Sequence, residues 1–182
     1  MGNQMKPQFE WILERAKKLG TILVLEIGAG KSSSAHDTND LTKAMLNEGL
    51  KVWGCDLKDV QYKHPNFKFT QGAFETNNYP SKFFEIIVSC ATLHHIGKAY
   101  GINVPKEQIQ TENPNMLKVC LEEINRTLKD EGHIFITTDI QPSPIRVDSW
   151  NWDKESVDNL LAIYFETIEI AQFKDGEYTC YC

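Results

Sequence analysis

Apolar positions along the chain follow two alternating spacings. Residues 8–19, starting just past Pro7, carry Phe9, Ile12, Leu13 and Ala16 at the interval of one helix face, and Gly20 closes the segment. Residues 21–27 then form an unbroken apolar run of strand length, as expected of a central parallel strand buried on both faces. A glycine turn at 28–30, a polar stretch over 31–39, a helix over 40–47 and Gly49 come next. Residues 50–55 read as a second strand ending at Asp56, 67–70 as a third and 83–89 as a fourth. Residues 97–115 form an excursion between elements. Residues 116–128 place Leu117, Leu121, Ile124 and Leu128 on one helix face, and a turn at 130–132 leads into a fifth strand over 133–138. Pro142 and Pro144 interrupt the chain before a last helix over 153–165. Two strand-like runs, 167–173 and 177–182, flank Lys174-Asp175-Gly176, and Asp-Gly between such runs predicts a hairpin. Alternating strands and helices predict an α/β fold with a mostly parallel sheet that ends in an antiparallel hairpin.

At 182 residues, with no internal repeat and no low-complexity linker, the expected organisation is one domain over 1–182, with an N-terminal helix in 1–20 ahead of a core over 21–182. No apolar run approaches the roughly 18 residues of a membrane span, and residues 1–8 lack the apolar stretch of a secretory signal. The cytoplasm is therefore the expected location, where Cys55, Cys90, Cys120, Cys180 and Cys182 are expected as reduced thiols. The net charge of −6, with scattered lysines and arginines, argues against a nucleic-acid partner, which calls for a basic footprint.

A buried strand, a glycine turn and a helix make a nucleotide-binding corner, because glycine lets backbone approach a ligand that a Cβ would strike. Here acidic residues mark both neighbouring strand ends: Glu26 near the end of the first strand and Asp56 at the end of the second. A carboxylate at the second position can take both ribose hydroxyls. Ser33 stands where a dinucleotide fingerprint has its third glycine, which disfavours a nicotinamide oxidoreductase.

Four segments, in this order, resemble the class I S-adenosylmethionine-dependent methyltransferases. They are Val24-Leu25-Glu26-Ile27-Gly28-Ala29-Gly30, Val52-Trp53-Gly54-Cys55-Asp56, Phe84-Glu85-Ile86-Ile87-Val88-Ser89 with Leu93-His94-His95-Ile96, and Arg126-Thr127-Leu128-Lys129-Asp130-Glu131-Gly132 running into His133. The last is similar to that family's Arg-x-Leu-Lys-Pro-Gly-Gly turn. The resemblance implies a Rossmann-like, seven-stranded, mostly parallel sheet with a terminal antiparallel hairpin, and S-adenosylmethionine as cofactor. It places Glu26, Gly28, Ala29 and Gly30 at the methionine end of the cofactor, and Asp56 at the ribose with Leu57 beside the adenine. Gly72 and Ala73 stand near the adenine amine, where relatives often carry an acid and this chain has Ala73. Ser89 and Cys90 border the sulfonium. His95, where relatives often carry histidine, is the expected general base, with His94 the second candidate.

Methyl transfer to an activated sulfonium needs mainly positioning, which supplies roughly 7–11 kcal/mol, and a base where the acceptor is a hydroxyl or ammonium. No metal is required. The segment after the fourth strand lacks the Asn/Asp-Pro-Pro-aromatic pattern of enzymes acting on nucleic-acid bases. Together with the acidic charge this points to a small-molecule acceptor. The run Gly97-Lys98-Ala99-Tyr100-Gly101 resembles a little-characterised branch of the family that lies near sugar and glycan enzymes, which implies a sugar-like hydroxyl. A non-catalytic module that binds S-adenosylmethionine or S-adenosylhomocysteine is the alternative. Trp150, Trp152, His36 and Asp37 are read as packing or solvated residues.

Overall fold

The computed structural model describes residues 7–30, 38–97, 113–139, 152–167, 169–172 and 178–181. Helix α1 (Pro7–Lys18) precedes β1 (Leu23–Ile27), α2 (Asp40–Asn47), β2 (Lys51–Asp56) and β3 (Phe67–Gln71). Then come β4 (Phe84–Cys90), α3 (Pro114–Thr127), β5 (Leu128–Asp139), α4 (Lys154–Leu161), β6 (Ile170–Gln172) and β7 (Tyr178–Tyr181). The strands form one sheet in the order β3-β2-β1-β4-β5-β7-β6. Neighbours from β3 to β5 are parallel, and β7 runs antiparallel to both β5 and β6. The parallel α/β architecture expected from the alternation is present.

Successive residues of β1 fall into different cores, which explains its unbroken apolar run. Val24 packs with α1 and α2, against Ile12, Leu41 and Met45. Leu25 and Ile27 pack on the other face with Leu121 and Ile124 of α3 and Leu161 of α4. Strand order reverses between β1 and β4, so the carboxyl ends of these two strands border the crevice where such sheets bind ligands.

Three expectations are corrected. The turn expected at 130–132 lies within β5, which begins at Leu128. The amides of Lys82 and Phe83 already pair with the carbonyls of Arg126 and Thr127, so sheet pairing starts at the very end of α3. The register then shifts, Phe84 facing Leu128 and Ile86 facing His133, and the surplus residues bulge. The last helix stops at Leu161 rather than Phe165, because the amides of Tyr164 and Phe165 both turn back to the Leu161 carbonyl and fold their rings onto the core. The first of the two terminal strands starts at Ile170 rather than at Thr167, and the Asp175-Gly176 turn lies outside the described residues. Residues 31–37 and 98–112, with His36, Asp37 and Tyr100, also lie outside them, as do Trp150 and Cys182.

Candidate active site

The first half of the site is built where β1 ends. Gly28 has a φ of +83°, a conformation that favours glycine, and turns the chain back over the end of β2. Its amide and that of Ala29 donate to the Cys55 carbonyl at 2.8 and 3.2 Å, and the Gly30 amide donates to Asp56 Oδ2 at 3.0 Å. The three amides of the turn are therefore held by β2. A Cβ on Gly30 would lie 2.8 Å from Asp56 Oδ2, so the carboxylate can approach only a glycine.

Glu26 is completely buried beneath this turn. One carboxylate oxygen accepts from Asn39 Nδ2 and the other from the Thr42 hydroxyl. Burial pushes its pKa up to about 7 against the pull of those two hydrogen bonds, and Asp56 adds to the rise. The neighbouring Cys55 thiol is pushed up to about 12, again mainly by burial, which leaves it an inert core group.

Asp56 is half-buried at the tip of β2. Its Oδ1 accepts from the Lys58 amide at 2.9 Å, and its main-chain carbonyl accepts from the Gly72 amide at 2.8 Å. Gln71 Nε2 donates to the Leu57 carbonyl at 3.2 Å. These bonds tie the ends of β2 and β3 together and bring Asp56, Leu57, Gly72 and Ala73 to one edge. Leu57 is 54% exposed, an apolar surface beside a carboxylate. Ala73 precedes a short 3₁₀ turn (Phe74–Thr76) that brings Glu75, half-buried, two residues past the position where an acid was looked for.

The second half lies at the ends of β4 and β5. Ala91 takes a φ of +50°, rare outside glycine and costing on the order of 1–3 kcal/mol. Thr137 holds it there, its hydroxyl and its carbonyl accepting the Ala91 amide at 2.9 and 3.1 Å. The bend lays Thr92 directly on Gly28: a Cβ at Gly28 would sit 2.1 Å from Thr92 Oγ1. A short 3₁₀ turn (Leu93–His95) follows, and the His95 amide donates to the Thr92 carbonyl at 2.9 Å. His94 is buried, with Nδ1 3.2 Å from Thr138 Oγ1 and its ring edge-on to buried Trp152. His95 is only half-buried, and the two imidazole centroids are 4.2 Å apart. The sequence candidates thus separate into a packed histidine and an accessible one.

Cys90 Sγ lies 3.2 Å from Thr137 Oγ1. Ser89 pairs in register with Ile27 and is fully buried, and its hydroxyl has no hydrogen-bond partner among the described residues. An orphaned hydroxyl next to the glycine turn, a half-buried carboxylate and an exposed leucine fit a ligand with a polar amino-acid end and a nucleoside end. Sequence reasoning missed Asn39, Thr92, Thr137 and Thr138. Only Asn39 left a signal, as an N-cap residue just before an apolar helical run.

The comparisons agree with this fold. The sequence matches the Methyltransferase domain family over residues 25–136, more than half of the chain. None of the curated proteins matches the sequence. The fold is similar to that of 1,6-didemethyltoxoflavin-N1-methyltransferase from Burkholderia thailandensis, solved with 1,6-didemethyltoxoflavin and S-adenosylhomocysteine bound. That alignment has 16% identity and a TM-score of 0.68, and it covers 96% of this chain and 76% of the other. It is also similar to an S-adenosylmethionine-dependent methyltransferase from Mesorhizobium loti, with 13% identity, a TM-score of 0.65, and 95% and 96% of the two chains covered. The chain therefore belongs to the Methyltransferase domain family, as a class I enzyme that uses S-adenosylmethionine.

Proposed function

We propose that the protein methylates a small-molecule acceptor, a sugar-like hydroxyl or an amine, in the cytoplasm, with His95 as general base. The observation that carries this reading is the contact of Thr92 with Gly28. It ties the segment bearing His95 to the turn that borders the cofactor crevice. Bound S-adenosylmethionine supplies a methyl group already activated on a sulfonium. Asp56 is the proposed ribose ligand, with Leu57, Gly72 and Ala73 around the adenine. The surface of the turn at Gly28, Ala29 and Gly30 above Glu26 is the proposed seat of the methionine end, with Ser89 and Cys90 beside the sulfonium. His95 takes the acceptor's proton as the new bond forms. His94, held by Thr138, is a positioning residue that supports the His95 ring. The net charge of −6 supports a small acceptor, and the buried thiols of Cys55 and Cys120 support a reducing compartment.

The test is turnover of S-adenosylmethionine over a panel of sugars, other hydroxyl compounds and heteroaromatic amines. The Burkholderia neighbour is named for an N1 transfer, which keeps ring nitrogens in the panel. His95→Ala is expected to lower turnover roughly 10²–10⁴-fold while S-adenosylhomocysteine binds as in the wild type. Near-normal turnover in that variant removes the base and leaves positioning alone.

A further inference from the structure

We infer that Asn39 is the positioning residue of the cofactor turn: one side chain fixes the turn at 28–30, the buried acid beneath it and the start of α2 in a single arrangement. The inference rests on the reading of that turn as the S-adenosylmethionine site.

Asn39 is the N-cap of α2, and its Oδ1 accepts from the Thr42 amide at 2.7 Å. Its main-chain amide donates to the Ala29 carbonyl at 3.1 Å, which holds the middle of the turn. Its Nδ2 donates to Glu26 and lies 3.5 Å from the Gly28 carbonyl. The side chain must therefore accept on one side and donate on the other, and a carboxamide of this length meets both needs. Aspartate caps a helix equally well but, when ionised, offers no donor to a buried carboxylate, and the single hydroxyl of serine or threonine is shorter than the carboxamide. The choice of asparagine answers the acid below the turn as well as the helix above it. Thr42 supplies a second donor from the next turn of α2, so among the described residues both side-chain donors to Glu26 come from the start of that helix. Among the described residues, the titratable groups that bear on Glu26 are Asp56 and Cys55, both from β2, while α2 presents the neutral Asn39 and Thr42.

Two variants separate capping from positioning. Asn39→Ala loses both functions. Asn39→Asp keeps the cap but sets a second carboxyl against Glu26, and two carboxyls in contact are tolerated only while they share a proton. The readout is the affinity for S-adenosylhomocysteine by calorimetry in a pH series, taken where circular dichroism shows each variant folded. Asn39→Ala is expected to bind roughly tenfold or more weakly near pH 8.5, where Glu26 is charged, the effect of losing a hydrogen bond to a charged group. Asn39→Asp is expected to stay within about threefold of the wild type near pH 6 and to fall roughly tenfold or more behind it near pH 8.5, as the shared proton leaves. If Asn39→Ala does not fold, the pH dependence of Asn39→Asp decides. A constant ratio of Asn39→Asp to wild type across the series overturns the inference, as does a folded Asn39→Ala that binds normally. A wild type that binds no S-adenosylhomocysteine overturns the cofactor-site reading and this inference together. A binding wild type beside indifferent variants overturns this inference alone.

Discussion

The two halves of the site are held by different chemistry. Around the end of β1 the backbone is fixed by carboxylates: Asp56 takes the amides of Gly30 and Lys58, and Glu26 takes Asn39 and Thr42. Around the ends of β4 and β5 the partners are neutral: the Thr137 hydroxyl holds a strained Ala91, and the Thr138 hydroxyl holds His94. On the proposed reading, the first half faces the cofactor's ribose and cation, and the second faces the acceptor. They meet at the contact of Thr92 with Gly28.

The sharpest way to break this division is at that contact. Gly28→Ala introduces a Cβ 2.1 Å from Thr92 Oγ1 at a φ of +83°. Strain and overpacking together are expected to destabilise the protein by about 2–5 kcal/mol and to weaken S-adenosylhomocysteine binding. Adding Thr92→Gly should recover the steric part but not the backbone part. Thermal melts and calorimetry on the single and double variants check this, and a single variant that behaves as wild type would show that the two halves do not touch.

A somewhat smaller effect concerns Glu26. Its folded-state pKa is raised from 4.5 to about 7, so between those values the folded protein holds a proton that the unfolded chain has released. Stability is therefore greatest below that window and falls as pH rises through it, by about 3 kcal/mol at roughly 1.36 kcal/mol per unit. Denaturant unfolding from pH 4.5 to 7.5 should show this slope, and Glu26→Gln should flatten it. A Glu26→Gln protein with the wild-type slope would place the titration elsewhere.

The smallest effect is expected at Asp56. Asp56→Ala removes the proposed ribose contacts along with the amide bonds to Gly30 and Lys58. Charge-assisted bonds contribute about 1.5–3 kcal/mol, so S-adenosylhomocysteine should bind about tenfold or more weakly. An unchanged dissociation constant in the folded variant would remove Asp56 from the cofactor site.

The same contrast accounts for what the sequence made legible. The β1 corner can be read because its chemistry admits few residues: a turn with positive φ asks for Gly28, and strand-end carboxylates such as Glu26 and Asp56 stand out in apolar surroundings. The mostly parallel sheet and its two-faced core follow from apolar runs that stay apolar on both faces, as in β1. The β4–β5 end is harder to read, because threonines such as Thr92, Thr137 and Thr138 are ordinary strand-end residues and only their three-dimensional pairing gives them a role. Local pattern also placed the turn of residues 130–132 outside the strand. Pairing of Phe83 with Thr127, a long-range bond, draws it into β5 instead. The separation of His94 from His95 likewise depends on Thr138, 44 positions further along the chain from His94.

The joint between Thr92 and Gly28 also marks a splice point. Everything up to Ile96 takes part in fastening the β4 end to the β1 turn, through Thr92, the 3₁₀ turn and the His95 amide. A transplant of another enzyme's acceptor segment that begins beyond Ile96 inherits the clasp intact, whereas one that begins at Cys90 must rebuild a left-handed alanine and a side chain shaped to a bare glycine. A graft that begins downstream of Ile96 therefore needs no redesign of the joint itself.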